Sequence, residues 1–400
     1  MSATKTSSPD WNKSINTLLK HSSFSKINRS ANPAVVRAST ILFDSMQELA
    51  SHEKKILKNK SITHYAYGRY GSQTTIELQK IVKELEQAHH VFLHSTGFGS
   101  VSLVFMALCQ SGDEVLVADN VYYPTREITE KLLPKYNIKT KFYNPNDIQD
   151  LKSKITKKTK LIFVENPGSI TFEFQDLKEI IKLAKKNNIT TAMDNTWGTP
   201  LYFKPLSLGF DISVSSATKY FSGHSDAMGG TLSVNKKTYN KVKLCDKLLG
   251  SRLSADEAYL IIRGIRTLDI RLKAHQLNTK KIINFFKKQK KIKEILYPHK
   301  IGSKNYAMWK KYYSGATGLL SVVIKAKKKS SVLKFVNKLE LFGIGYSWGG
   351  FESLAIYHDI SKSRNFYKFE KDEHLVRIHV GLEDPQDLIK DLKNCLKFIR

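Results

Sequence analysis

Lys219 stands in SSATKYFSGHSDAMGG, residues 215–230, among small and hydroxyl residues, with no other charge downstream until Asp226. Elsewhere the lysines run together, as in KKTK and KKQKK, where a solvated charged face accounts for them. A lysine held in a tight, partly apolar turn loses hydration, and that loss favours the neutral, nucleophilic amine. Lys219 is therefore a candidate Schiff-base lysine. Asp194, in AMDNTWG, closes an apolar run 25 residues earlier; taken alone it reads as a turn or helix-cap residue. STGFGS (95–100) puts glycines and hydroxyls just ahead of the helical VSLVFMALCQ. Backbone N–H groups at such a helix start face an anion. Ser216 and Thr218 add hydroxyls, and Tyr122 in DNVYYPT offers an aromatic face.

One cofactor asks for all four of these: pyridoxal phosphate needs an amine, a carboxylate for its ring nitrogen, an anion cradle and a ring to stack on. Lys219, Asp194, the 95–100 turn with Ser216 and Thr218, and Tyr122 fill those places in turn.

Elements must bring these residues together. TTIELQKIVKELEQA has helical spacing, with Ile76, Leu78, Ile81, Val82 and Leu85 on one face. EVLVAD (114–119), LIFVEN (161–166), TTAMDN (190–195), ISVSSATK (212–219) and GGTLSVN (229–235) read as short buried strands. LKEIIKLAKKNN (177–188) is a helix between two of them. Alternating strands and helices predict a mostly parallel α/β sheet, with ligands at the carboxyl ends of the strands. Glu165, Asn166, Asp194, Asn195 and Lys219 all fall at such ends. One long amphipathic helix is expected over 256–286, followed by a smaller α/β unit containing GLLSVVIKA and LVRIHVG. Residues 1–60 read as polar and irregular apart from VVRASTILF.

The 400 residues exceed one ordinary core. The expected division is an N-terminal extension over 1–70, a cofactor-binding α/β domain over 71–262 and a C-terminal α/β domain over 263–400. No run of eighteen apolar residues suggests a membrane span, and MSATKTSSPDWNKS lacks a signal-peptide core, which points to the cytoplasm. Cys109, Cys245 and Cys395 are few and far apart, against a disulfide framework or zinc site. The net charge of +29 invites nucleic acid, but the lysines are spread along the chain without clustered arginines or interleaved aromatics. Specific nucleic-acid binding is not expected. His90 and His94 flank VFL, a strand, so no metal site is read there, and His224 reads as a stabiliser of the turn after Lys219.

SATKYFSGHSD and AMDNTW, together with VENPGSITFEFQDL, AYLIIRGIRTLDIRL, YSWGGFESL and LVRIHVGLEDPQDLI, resemble the motifs of the fold-type-I pyridoxal-phosphate enzymes of cysteine and methionine metabolism. The resemblance runs from about residue 30 to the C-terminus. It implies that Lys219 carries the cofactor, Asp194 meets the pyridine nitrogen, Tyr122 stacks and is catalytic together with Lys219, and Gly97, Phe98, Ser216 and Thr218 hold the phosphate. It implies Arg377 and Ser347 as holders of the substrate carboxylate. YGRYGSQTT matches a segment that reaches a neighbouring subunit's cofactor, so Tyr67 and Arg69 are expected to complete another copy's site, Tyr67 touching substrate, in a homotetramer built from dimers. ENPGSIT lacks the Thr-Asn-Pro usual in γ-acting members, and Trp348 stands where those usually have leucine. The expected reaction is therefore β-elimination of L-cystathionine to homocysteine, pyruvate and ammonia, with related cysteine S-conjugates as further substrates. The alternatives are a γ-acting relative and amino-acid racemisation. Asn166 and Phe98 depart from the usual family residues, which bears on fine specificity.

Overall fold

The computed structural model describes residues 30–57, 65–303, 305–361 and 363–400. Of the expected 1–70 extension, residues 1–29 and 58–64 lie outside the described residues.

Two sheets organise the chain. The first contains β1 (His90–His94), β2 (Glu114–Ala118), β3 (Lys139–Tyr143), β4 (Thr159–Glu165), β5 (Thr190–Asp194), β6 (Ile212–Ser216) and β7 (Gly230–Val234). Their spatial order is β1-β7-β6-β5-β4-β2-β3. β2 to β6 run parallel, and β7 runs antiparallel to both of its neighbours. Helices cover both faces of a parallel sheet, which favours continuous apolar runs in its central strands, as in β2 and β4. Val115, Leu116, Val117 and Ala118 are fully buried, as are Leu161 to Val164. The second sheet is antiparallel: β8 (Ile292–Leu296), β9 (Leu319–Lys325), β10 (Leu354–His358) and β11 (Glu373–His379), in the order β10-β11-β9-β8. The first sheet falls within 71–262 and the second within 263–400.

The long helix expected over 256–286 is two helices, Ala255–Ile265 and Leu268–Phe286. The carbonyl of Gly264, which would bond residue 268, instead accepts from the Thr267 N–H at 3.2 Å and from Arg271 Nη2 at 2.7 Å. Arg271 also donates to the Tyr220 carbonyl at 2.8 Å, so the break lets one buried guanidinium hold the turn beside Lys219. A second correction concerns residues 1–60: Met46–Leu57 is a helix. The Ser45 hydroxyl accepts the Glu48 N–H, and the Glu48 carboxylate accepts the Asp44 N–H, a capping arrangement that starts the helix despite its polar sequence. Among the described residues no helix is long and apolar enough to cross a membrane.

Candidate active site

The carboxyl ends of β4, β5 and β6 lie side by side, and Glu165 and Asp194 are direct register partners on β4 and β5. Partners in a parallel pair project to the same face, so two carboxyl groups share one polar pocket. Burial, and then Asp194, raise the Glu165 carboxyl well above its usual range; burial likewise raises Asp194. Asp194 accepts the Thr196 N–H at 2.9 Å and the Thr196 hydroxyl at 2.6 Å, both on Oδ1. Oδ2 has no hydrogen-bond partner among the described residues. Thr196 Oγ1 in turn accepts the Ser216 N–H at 2.8 Å, which ties the end of β5 to the end of β6.

The 95–100 turn reaches the same place. Thr96 caps the helix Gly97–Leu108, and its hydroxyl accepts the Gly99 N–H at 2.9 Å. The Gly97 and Phe98 N–H groups are left without a partner among the described residues. A Cβ on Gly97 would lie 2.5 Å from the Ser216 side chain, so only glycine lets the helix start close on β6. Two free amides at a helix N-terminus thus sit against the Ser216 hydroxyl. Thr218 differs: its hydroxyl accepts the Gly229 N–H at 3.0 Å and donates to the Gly229 carbonyl at 3.3 Å. To donate to an anion it must release the latter bond.

Lys219 follows β6. Burial first, then Arg377, lowers its amine to about 8, while Asp194 pulls the other way. Its Nζ lies 2.8 Å from Ser347 Oγ and 5.4 Å from the centre of the Trp348 ring. Arg377 is buried on β11, and burial lowers its guanidinium to about 10. One of its nitrogens, Nη2, bonds the carbonyls of Gly345, Tyr346 and Ser347, which leaves the rest of the fork for a ligand. Tyr122 donates its backbone N–H to Glu165 Oε2 at 2.6 Å, and its ring is 47% exposed. Its phenol is raised first by burial, then by Glu165 and Asp194, and is lowered by Arg377, so it stands in the same electrostatic field.

Gly97, Phe98, Tyr122, Asp194, Ser216, Thr218, Lys219, Ser347, Trp348 and Arg377 therefore line one region between the two sheets. Tyr67 and Arg69 do not join it within the chain. Tyr67 bridges Thr40, and the Arg69 guanidinium lies over the Tyr67 and Tyr70 rings. Asn166 is fully buried and uses its side chain on the Gln175 N–H and the Tyr313 hydroxyl. His224 bonds the Ser222 carbonyl within the turn after Lys219. His94, on β1, bonds Ser100 and Asp246.

Three residues escaped the sequence reading of this region. Thr196 was visible only as part of AMDNTW. Glu165 falls at a strand end, where the sequence shows no role for it. Arg364 had no local signal: it is buried and donates to the carbonyls of Val121, at 3.3 Å, and Ser169, at 2.8 Å.

A lowered lysine, an aspartate with a free oxygen, two unpaired amides against a serine hydroxyl and an exposed tyrosine ring fit pyridoxal phosphate. Fold and site together define a fold-type-I pyridoxal-phosphate enzyme. Residues 16–397 match the Cys/Met metabolism PLP-dependent enzyme family, and the chain belongs to it. A cystathionine beta-lyase of Bordetella avium is 36% identical, over 96% of this chain and 98% of that one. An L-alanine/L-glutamate racemase of Wolbachia pipientis wMel is 34% identical, over 93% of this chain and 94% of that one. Among solved structures, a cystathionine gamma synthase of Xanthomonas oryzae pv. oryzae superposes with a TM-score of 0.88 at 26% identity, covering 97% of this chain and 99% of that one.

Proposed function

We propose that the chain β-eliminates L-cystathionine, with water, to homocysteine, pyruvate and ammonia, and that it accepts other cysteine S-conjugates. The observation that carries this reading is the Trp348 indole 5.4 Å from the Lys219 amine. A bulky ring there narrows the space in which a base could reach Cβ as well as Cα, and γ-chemistry needs both. Near full-length relatives named cystathionine beta-lyase, at 34–36% identity, support it.

In this reading the Gly97 and Phe98 amides and the Ser216 and Thr218 hydroxyls hold the cofactor phosphate. Asp194 would pair with the ring nitrogen, and Tyr122 would stack on the ring. The bound cofactor supplies the electron sink that lets the Cα–H and Cβ–S bonds break. The free part of the Arg377 fork grips the α-carboxylate, where two parallel bonds fix its plane, and Ser347 bonds it from the side. Lys219 Nζ takes the proton from Cα, and the Ser347 hydroxyl, 2.8 Å away, orients the lone pair. The same amine then gives a proton to the departing sulfur. Tyr67 and Arg69 complete the site of another copy in a homotetramer, and the enzyme works in the cytoplasm.

A second reading rests on the Wolbachia relative: reprotonation of Cα from its other face would racemise alanine. One assay separates the readings. The holoprotein is given L-cystathionine while pyruvate and 2-oxobutyrate are quantified, and then L-alanine while D-alanine is measured. Pyruvate with homocysteine is expected. Dominant 2-oxobutyrate moves the chain to the γ-acting branch, and D-alanine without either keto acid makes it a racemase.

A further inference from the structure

Two neighbouring side chains of β11 grip the loop that carries Trp348. Arg377 bonds the carbonyls of residues 345–347, as described above. His379 lies two residues on and so shares its face of the strand. Its Nε2 is 3.1 Å from the Gly349 nitrogen and 3.1 Å from the Gly350 carbonyl. Trp348 stands between the two grips. Gly349 adopts φ +90°, and a Cβ there would lie 2.9 Å from the Tyr220 nitrogen and 3.0 Å from the Lys219 carbonyl carbon. The loop therefore rests directly on the backbone of the lysine.

One imidazole nitrogen cannot both accept and donate. With the proton on Nδ1, Nε2 accepts the Gly349 N–H and the imidazole N–H is left to be met from behind; with it on Nε2, the backbone N–H of Gly349 is stranded instead. Behind it, His275 Nδ1 lies 2.8 Å from the Val380 carbonyl and must donate there, which leaves a lone pair on its Nε2. His379 Nδ1 and His275 Nε2 are both buried without a partner among the described residues, in rings 5.1 Å apart. With the proton of His379 on Nδ1, the neighbouring rings carry one unpaired donor and one unpaired acceptor, whereas the other tautomer would give them two unpaired lone pairs.

We propose that His379, in its Nδ1–H tautomer and backed by His275, is a positioning residue that holds the Gly349–Gly350 turn and so sets the Trp348 indole over the Lys219 amine, restricting which thioether fits. This rests on the reading of Lys219 as the amine of the site. His379→Leu removes the acceptor, whereas His379→Gln keeps an oxygen near the Nε2 position. Both are compared with wild type as holoenzymes for kinetics and as apoproteins for tryptophan emission, with Trp348→Phe identifying the Trp348 contribution. The leucine variant is expected to red-shift that contribution and to raise the KM for L-cystathionine roughly ten-fold. Its kcat on the small thioether S-methyl-L-cysteine should stay within about two-fold. The glutamine variant should restore both. A leucine variant that melts earlier yet keeps emission and KM, or a glutamine variant no better than leucine, overturns the proposal. So does 15N NMR of the wild type showing His379 protonated on Nε2, a measurement that decides even if the leucine variant does not fold. Should wild type fail to cleave L-cystathionine, the functional reading falls, while emission and tautomer still decide this one.

Discussion

The Lys219 amine lies 2.8 Å from the Ser347 hydroxyl although 128 positions separate them in the chain. This contact joins the lysine turn after β6 to the loop held by β11, and it makes one region of two sheets.

Lys219 is lowered to about 8 from an ordinary 10.5, mainly by burial. The neutral amine is the nucleophile, so capture of added pyridoxal phosphate by the apoprotein should quicken about ten-fold per pH unit and level off near pH 8. The unfolded chain holds this proton up to about pH 10.5 and the folded chain only to about 8. Across that window the unfolded state binds more protons, and apoprotein stability from this group rises with pH. Stopped-flow absorbance checks the first outcome and urea unfolding at graded pH the second. Capture that is flat from pH 6 to 10 would show the amine is not the reacting group.

Asp194→Asn keeps an oxygen for both Thr196 bonds but loses the charge that the proposed function sets against the ring nitrogen. Folding should survive, and kcat should fall by roughly 10²–10³. Thr196→Val should instead cost stability, about 1–3 kcal/mol, because it strands the Ser216 N–H and removes the hydroxyl on Asp194. Thermal melting and steady-state pyruvate formation, measured on both variants, separate a charge effect from a structural one.

Gly97→Ala would push a methyl group to 2.5 Å from the Ser216 side chain. The helix start must then back away from β6, at about 1–3 kcal/mol. If the Gly97 and Phe98 amides hold the phosphate as proposed, the loss of binding free energy for pyridoxal phosphate should exceed the loss of apoprotein stability. Equilibrium dialysis against the cofactor, set beside the apoprotein melt, checks this; unchanged affinity would place the phosphate elsewhere.

Short-range pattern made much of this chain legible. β2 and β4 carry continuous apolar stretches, Val115–Ala118 and Leu161–Val164, because a strand covered on both faces is largely apolar, while β5 and β6 mix apolar residues with small buried Thr and Ser. Lys219 and Asp194 stood out since each is a lone charge among small or apolar neighbours. The helix Met46–Leu57 was also written locally, in the Ser45–Glu48 capping pair, but its polar composition masked it. The sequence by itself thus marked most strands of the first sheet and which side chains could react, since periodicity, glycine placement and charge isolation are local properties; β3, the lysine-rich Lys139–Tyr143, gave no such signal. Only the tertiary structure decided that the helix breaks after Ile265, that Thr196 links Asp194 to Ser216, and that Ser347, Trp348 and Arg377 close over the lysine. These arise from contacts between segments tens to hundreds of residues apart, where burial and hydrogen-bond satisfaction choose the partner and no local spacing records it.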